Sequence, residues 1–422
     1  MVFFGRNAGL MPEFPSPAGP SEIEDVVTEE AAIRPPLGRA VAVTPLVKEG
    51  DTVARGAALA CLRHAPDVCF AAPIAGKVAR MSLLPGRRMS EIVLFRDDSG
   101  GVETHDTNKA DTQSGLRRLM QDAGMWPRIA RRPFGGMPHH AETPAAIFVM
   151  ATDTRPQAPN VQKALDGQRD AFARGLDALT LLTDGPVVLC HPEGVPGVDT
   201  KAVSDRIQFA PRGTRHPQGS PGICIHQLYP ADIDTPVWDV HAEDVAALGT
   251  LLTTGSLPMT RLVSIAGPAL RESRTVRTHI GADLRQLTQR IVAPGPHLLM
   301  SGSPLDGLSA RWLGGRDRQV AVLPRAAPAR QTHWLFAALT QSAGTRPAIP
   351  TTALSQAFGG ALPAAAFIRA LASGDEETAM TFGLLSLLEE DVALADYVLS
   401  EGGTLLAQFR ALLDHVETEF AA

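Results

Sequence analysis

Two short segments near the start of the chain impose tight turns on short strands. The first, residues 47–56, contains Gly50-Asp51 and a second glycine, Gly56, and the second, residues 72–78, reads Ala-Pro-Ile-Ala-Gly-Lys-Val. Glycine and aspartate at these spacings favour tight turns, and the flanking residues are typical of short strands. The two segments therefore predict the two halves of a small barrel.

This pair of segments resembles the barrel-sandwich domains of biotinyl and lipoyl carrier proteins. In those domains a lysine at the tip of the hairpin between the two halves bears the prosthetic group. Here the corresponding stretch, residues 61–69, contains no lysine. We therefore expect a barrel that keeps the fold and has no covalently bound cofactor. Such a barrel at the start of a long chain is typical of a component of an electron-transfer complex and argues against a carboxylase.

Length and charge narrow the class of protein. A chain of 422 residues is long enough for about three domains, each with its own core. The 39 basic and 45 acidic residues give a net charge of −6. Because this balance provides no positive field to attract phosphates, we expect no nucleic-acid partner.

The four cysteines, Cys61, Cys69, Cys190 and Cys224, include no Cys-x-x-Cys spacing. This absence excludes the usual iron–sulfur and zinc-ribbon motifs. So few cysteines indicate a reduced, cytosolic chain, although Cys61 and Cys69 could lie close together across a hairpin.

The sequence predicts no membrane-spanning segment. The longest apolar run in a strand-like context, residues 145–151, is far shorter than the ~20 residues of a spanning helix. Residues 1–6 lack the basic and apolar regions of a signal peptide. Any membrane association is therefore expected to depend on a partner protein.

Composition and hydrophobic pattern divide the chain into five segments. Apolar runs at 146–151 and 186–190 flank an amphipathic region and predict a parallel α/β layer. Residues 223–228 predict a further short strand, and a helix is expected from residue 242 to 253, ending at Gly255. The expected segments are an extended arm (1–32), a barrel-sandwich domain (33–100), a Rossmann-like α/β domain (101–255), a β-grasp module (256–325) and a helical domain (326–422).

The predicted helical domain is acidic. We expect most of this charge to form a solvated face, contributed by Glu376, Glu377, Glu389, Glu390 and Asp391.

Several longer stretches resemble the family of A subunits of sodium-translocating NADH:quinone oxidoreductases. The similarity covers roughly residues 33–320 and resumes near residue 374. The chain departs from the family at 326–358, which is shortened, and at 397–403, which lacks the family's Cys-Pro-Gly-Lys-Tyr-Glu-Tyr-Gly motif. The stretches that carry the resemblance include Arg34-Pro35, Met125–Phe134, Glu142-Thr143-Pro144, Ile147–Pro156, His216-Pro217, Val237-Trp238, Glu243–Val245, Ala266-Gly267-Pro268 and Val276–Thr278.

This resemblance implies a fold related to the flavin-binding subunit of respiratory complex I and to the C subunit of Rnf complexes. Their cofactor motifs are missing, since no Gly-x-Gly-x-x-Gly follows a strand and there is no P-loop. The resemblance therefore implies a peripheral protein at the cytoplasmic face of the bacterial inner membrane, with ubiquinone as substrate. NAD and flavins would be bound by membrane and flavin-bearing partner subunits, and the isolated chain would be inactive. The alternative is a redox-silent scaffold in a different, Rnf-like complex.

One cluster of residues has the chemistry that a quinone site needs. Arg131 and Arg132 supply fixed cations, Phe134 supplies aromatic surface, and His139 and His140 could relay protons near neutral pH. The alternative is structural: the arginines lie at a subunit surface and the histidines occupy a solvated loop.

Other residues have weaker functional patterns. Arg34-Pro35, which leads into the barrel, is a second candidate for quinone contact. Trp126 and Trp238 are expected to be packing anchors. A zinc site is conceivable but is not expected, because the Cys-x-His spacing matches no closed site; its residues would be His216, Cys224, His226 and His241.

Overall fold

The computed structural model describes residues 8–36, 41–195, 203–325, 351–400 and 402–420. Two sequence-based expectations fall partly outside these ranges. They concern the start of the arm (1–7) and most of the shortened stretch at 326–358 (326–350).

The N-terminal region forms the predicted barrel sandwich. After β1 (Ile23–Asp25), which joins a later sheet, two small sheets pack face to face in the order β2-β8-β7-β4 and β3-β5-β6. Their strands are β2 (Glu30–Ile33), β3 (Val43–Pro45), β4 (Thr52–Val53), β5 (Ala58–Leu62), β6 (Ala65–Ala71), β7 (Gly76–Leu84) and β8 (Arg88–Arg96). The tight turn at Gly50 has a φ of 94°, a conformation that glycine adopts without steric cost.

The hairpin of β5 and β6 brings two cysteines together. Cys61 lies directly opposite Cys69 across the two strands, and their sulfurs form a disulfide. The prediction that they lie close together is confirmed. The expectation of a fully reduced chain is wrong for this pair, because antiparallel pairing places two side chains opposite each other on one face of the hairpin. Cys190 and Cys224 are free and buried.

An α/β domain follows the barrel. Its sheet has the order β12-β11-β10-β13-β9, with β10 to β13 parallel and β9 antiparallel to β13. The strands are β9 (Ala130–Arg132), β10 (Ala146–Met150), β11 (Val187–Pro192), β12 (Ile207–Arg212) and β13 (Val237–His241). The helices are α1 (Gln113–Asp122), α2 (Val161–Ala164), α3 (Arg169–Leu179), α4 (Pro221–Leu228) and α5 (Ala242–Thr254).

The prediction of a strand at residues 223–228 is wrong, because these residues form part of helix α4. Pro221 occupies the first turn of the helix, where its missing N–H leaves no hydrogen bond unmade. Ile223, Cys224 and Ile225 are all buried, and a run of apolar residues cannot by itself distinguish a buried strand from a buried helix. Helix α5 confirms its prediction and ends at Gly255, whose φ is 72°.

The sheet of the β-grasp module includes β1, the first strand of the described residues. The sheet has the order β1-β15-β14-β18-β16-β17, and β1 pairs parallel with β15 through Ile23 and Thr275. The predicted arm thus contributes a strand to this module before entering the barrel. The other elements are β14 (Thr260–Ala266), β15 (Arg274–His279), α6 (Leu284–Thr288), β16 (His297–Ser301), β17 (Leu308–Ser309) and β18 (Gln319–Pro324).

The described part of the C-terminal region is helical. Its helices share an apolar core that includes Phe358, Phe367 and Phe409. They are α7 (Thr352–Ala357), α8 (Ala364–Ser373), α9 (Glu376–Thr381), α10 (Glu389–Leu399) and α11 (Thr404–Phe420). Among the described residues, no helix has the length and hydrophobicity that crossing a bilayer requires.

A buried ion-pair network at the first turn of α5 joins the α/β domain to the β-grasp module. Arg318 donates to Asp244 at 2.5 Å and to Glu243 at 3.2 Å. Arg128 and Arg261 each lie 3.4 Å from Asp244. The three guanidinium groups hold the pKa of Asp244 well below its usual range although the carboxyl is buried, and burial lowers the pKa of Arg261 to about 9.

Replacing Asp244 with asparagine is expected to destabilise the fold by about 3–5 kcal/mol, because it leaves buried guanidinium groups without their common carboxylate. The measurement is the free energy of unfolding in urea at neutral pH. Asp234→Asn makes the same chemical change at an exposed position and should stay within about 0.5 kcal/mol of wild type. Equal stability of the two variants would show that the network contributes nothing.

Acidification is expected to destabilise the fold through a buried histidine. His279 Nδ1 bonds the Ile280 carbonyl at 2.9 Å, and His279 Nε2 accepts from the Thr28 N–H at 3.2 Å. Burial lowers the pKa of His279 from 6.5 to about 4. In that interval the unfolded chain binds a proton that the folded chain does not, so the free energy of unfolding falls as pH falls.

Between about pH 7.5 and 5, His279 should account for a loss of about 2 kcal/mol in the free energy of unfolding. His279→Gln should flatten the pH dependence by that amount, measured by urea unfolding at both pH values. His64→Gln, at an exposed position, should keep the wild-type dependence. If both variants keep it, the buried imidazole is not the source.

Candidate functional site

The predicted quinone cluster lies on and beside the β9–β10 loop (residues 133–145). The loop begins with a tight turn in which Phe134, Gly135 and Gly136 all have positive φ angles, between 76° and 80°. The Arg131 N–H donates to the Gly136 carbonyl at 3.3 Å and closes the turn. A side chain on Gly135 would approach Leu388 Cδ2 to 3.1 Å, so the turn packs tightly against the helical domain.

Two tryptophans hold the far end of the loop. Trp126 Nε1 donates to the Pro138 carbonyl at 2.8 Å, and Trp238 Nε1 donates to Glu142 Oε1 at 2.6 Å. Their rings meet edge to face, with centroids 5.2 Å apart. Both rings are fully buried, which confirms that they are packing anchors and not stacking platforms for a ligand.

Arg117 fixes the backbone of the same segment. Its Nη1 donates to the carbonyls of His140 and Glu142 at 3.2 and 2.8 Å. The guanidinium lies over the ring of Trp126 at 5.3 Å and over that of Trp238 at 5.8 Å, positions that allow cation–π attraction. Sequence reasoning did not identify Arg117. Its hydrogen bonds to these two carbonyls fix the backbone of the loop.

Arg132 is fully buried and joins the α/β sheet to the helical domain. It forms ion pairs with Asp239 on β13 and, on α10, with Glu390 at 2.8 Å and Asp391 at 3.5 Å. Asp391 also accepts from the N–H of Gly222 at 2.9 Å. The expectation of a solvated acidic face is therefore wrong for Asp391, whose carboxylate is buried against Arg132 in the domain interface. Glu390 also pairs with Arg132 but keeps 35% of its side chain exposed.

Phe134 and Arg410 complete this interface. The Phe134 side chain is buried in the core of the helical domain, and its carbonyl accepts from Arg410 Nη1 at 3.1 Å. Arg410 also makes a bidentate pair with Glu389, both bonds being 2.5 Å. Glu389 is thus paired across the interface while 39% of its side chain remains exposed.

The outer edge of the loop carries the two histidines. His139 and His140 are exposed, whereas their neighbour Met137 packs between the barrel and α/β cores. Partial burial and the nearby Arg131 guanidinium lower the pKa of His139 below 6.5. Arg131 itself pairs with Glu142 at 3.0 Å.

The second candidate lies elsewhere. Arg34 is exposed and Pro35 half-buried, immediately after β2. Within the described residues, no hydrogen bond or ion pair connects them to the β9–β10 loop. The structure therefore brings together the cluster of residues 131–140 and does not add Arg34-Pro35 to it through any direct polar contact.

The four residues considered as zinc ligands are also not brought together in one site. Cys224 and His226 lie two positions apart on helix α4 instead of on a strand, and a turn of about 100° per residue sends them in different directions. The Cys224 thiol donates to the Gln218 carbonyl at 3.4 Å. His216 Nδ1 lies 3.3 Å from Thr154 Oγ1, and His241 caps α5. Cys224 is thus a core residue and His241 a helix cap, a role that the sequence analysis did not predict.

Charged side chains line the crevice where the strand order of the α/β sheet reverses. It lies beyond the carboxyl ends of β10 and β13, the usual ligand position in such sheets. Asp153 and Arg155, just after β10, form an ion pair at 2.6 Å, and Arg155 reaches Asp306 of the β-grasp module at 3.3 Å. Arg155 holds the pKa of the buried Asp153 at about 2.

Replacing Arg132 with methionine is expected to cost about 3–5 kcal/mol, because it leaves the carboxylates of Asp239 and Asp391 buried without their partner. The free energy of unfolding in urea measures this cost. Arg63→Met, at the exposed tip of the barrel hairpin, provides the control and should change stability by less than about 0.5 kcal/mol. A similar small change at Arg132 would contradict an interface role.

Comparison with known proteins identifies the domains. Three family models match: the NqrA N-terminal barrel-sandwich hybrid domain over residues 21–97, the NqrA second alpha/beta domain over 111–257, and the NQRA C-terminal domain, of SLBB type, over 262–311. The solved NAD+-reducing NiFe-hydrogenase in its air-oxidized state matches with 14% identity and a TM-score of 0.39, covering 72% of this chain and 64% of that chain. A score this low does not establish a shared fold.

Curated relatives match along nearly the whole chain. The A subunit of the Na(+)-translocating NADH-quinone reductase of Shewanella amazonensis is 32% identical over 89% of this chain and 90% of its own length. The corresponding protein from Vibrio alginolyticus is 33% identical over 88% of this chain and 90% of its own length. With its barrel-sandwich, α/β and SLBB domains matched in order, the chain belongs to the family of A subunits of Na+-translocating NADH-quinone reductases.

Proposed function

We propose that this chain serves as the A subunit of a Na+-translocating NADH:ubiquinone reductase, at the cytoplasmic face of the bacterial inner membrane. The observation that carries the proposal is the match to the A subunits of such reductases over about nine-tenths of each chain. A peripheral position is supported by the lack of a spanning helix among the described residues. No observation favours the alternative of a scaffold in an Rnf-like complex.

In this proposal NAD and flavins are bound by membrane and flavin-bearing partner subunits, and the isolated chain is inactive. We infer that the α/β domain is Rossmann-like and related to the complex I flavoprotein, because its parallel strands follow the order third, second, first, fourth, as do the first four strands of dinucleotide-binding folds. The ion pair of Asp153 and Arg155 in the crevice occupies the position where such folds bind a cofactor.

The quinone is proposed to contact the outer edge of the β9–β10 loop, at the interface with a membrane subunit. His139 and His140 are exposed there, with Arg131 beside His139. A neutral imidazole can donate an N–H to a quinone carbonyl, and a guanidinium favours the negative charge that develops on reduction. Two electrons from a partner's flavin and two protons then convert the quinone to the quinol.

Buried members of the cluster have a different part in this proposal. Arg132 and Phe134 are almost inaccessible and set the position of the turn from beneath. Arg34-Pro35, at the end of β2 with the arginine exposed, remains a secondary proposal for contact with the quinone or with the membrane subunit.

The test is the double variant His139→Gln/His140→Gln in the purified, assembled complex. Since the imidazoles are exposed, assembly and stability should be unchanged. We expect at least a tenfold loss of ubiquinone reduction, about 1.4 kcal/mol in transition-state stabilisation, with NADH oxidation by an artificial acceptor retained.

His64→Gln, an exposed histidine at the barrel hairpin, is the matched control and should keep full quinone activity. Full quinone activity in the double variant would place the quinone elsewhere while leaving membership of the complex intact. If the wild-type chain failed to co-purify with flavin-bearing partners, that result would instead contradict its membership of the complex.

A further inference from the structure

Three potential metal ligands converge in the helical domain. His415 and Glu419 lie one turn apart on α11, and Glu376 begins α9. His415 Nε2 is 3.5 Å from Glu376 Oε2 and 3.5 Å from Glu419 Oε1. The three ligand atoms all lie within 4.8 Å of one another.

The Glu376 carboxylate is incompletely satisfied. Its Oε2 atom is inaccessible to solvent and has no hydrogen-bond partner among the described residues. At 3.5 Å the His415 nitrogen is too distant for a good hydrogen bond. The Glu376 side chain as a whole is 31% exposed, but this oxygen is shielded from water, and a cation between the two helices would satisfy it.

The two distances from the imidazole nitrogen suit a tetrahedral transition-metal ion, and the two carboxylates lie within 4.8 Å of each other. Zinc binds imidazole nitrogen and carboxylate oxygen at about 2.0–2.2 Å, so neighbouring ligand atoms in a tetrahedron lie about 3.3–3.6 Å apart. Both distances from His415 Nε2 are 3.5 Å. An imidazole ligand favours zinc over magnesium or calcium, which prefer oxygen ligands and higher coordination numbers.

We propose that Glu376, His415 and Glu419 form a binding site for one zinc-like divalent ion. Three protein ligands leave a fourth position, and the His415 side chain is 56% exposed, so water can complete the coordination. The site connects α9 to the last turns of α11. It thereby stabilises the helix whose Arg410 binds the Phe134 carbonyl and holds the β9–β10 turn.

The test is calorimetric titration of the full chain with Zn2+, followed by a Co2+ absorption spectrum. Wild type should bind one equivalent that is lost, or weakened at least tenfold, in His415→Gln and in Glu376→Gln. Bound Co2+ should show the intense visible bands of tetrahedral coordination. Zn2+ should also raise the melting temperature of wild type and leave that of His415→Gln unchanged.

Glu377→Gln is the matched control, because Glu377 is the exposed neighbour of Glu376 on the same helix. It should bind Zn2+ as wild type does. The proposal is overturned if His415→Gln retains the same stoichiometry and affinity as wild type, or if Mg2+ at equal concentration displaces Zn2+.

Discussion

The first turn of α5 holds the interaction on which the domain arrangement depends. Three buried arginines from separate parts of the chain, Arg128, Arg261 and Arg318, surround the carboxylate of Asp244. Each charge would be costly in isolation, so the network is stable only when all of its members are in place. The α/β domain and the β-grasp module are therefore held in one relative position, and that position lets Asp306 reach into the crevice of the α/β sheet.

A second buried ion-pair network, around Arg132, attaches the helical domain to the α/β sheet in the same way. It links β9 and β13 to α10, and Arg410 adds a contact from α11. The β9–β10 loop is consequently held in place on its inner side, where arginine and tryptophan side chains donate hydrogen bonds to its carbonyl groups. Only the edge that carries His139 and His140 faces outward. This division suits a surface that must present donors and proton acceptors at a fixed position to a partner-bound substrate.

Sequence reasoning worked where local chemistry decides the structure. The glycine turns of the barrel, helix α5 with Gly255 at its end, and the strand at 146–150 were all predicted, because turn conformation and hydrophobic pattern act over a few residues. It failed at α4, where four consecutive buried residues, 222–225, removed the periodicity that separates helix from strand. It also failed for Asp391 of α10, whose buried partner Arg132 lies 259 residues away in the sequence.

The sequence by itself determined the set of domains, their order, and the residue types available for chemistry at residues 131–140. Only the tertiary structure decided which of those residues are exposed. Ion pairing and burial depend on contacts between distant segments, which no local pattern encodes. For that reason Arg132 and Phe134, which are close to Arg131 in sequence and were equally good candidates for quinone contact, became interior residues, while His415, Glu419 and Glu376 came together across two helices.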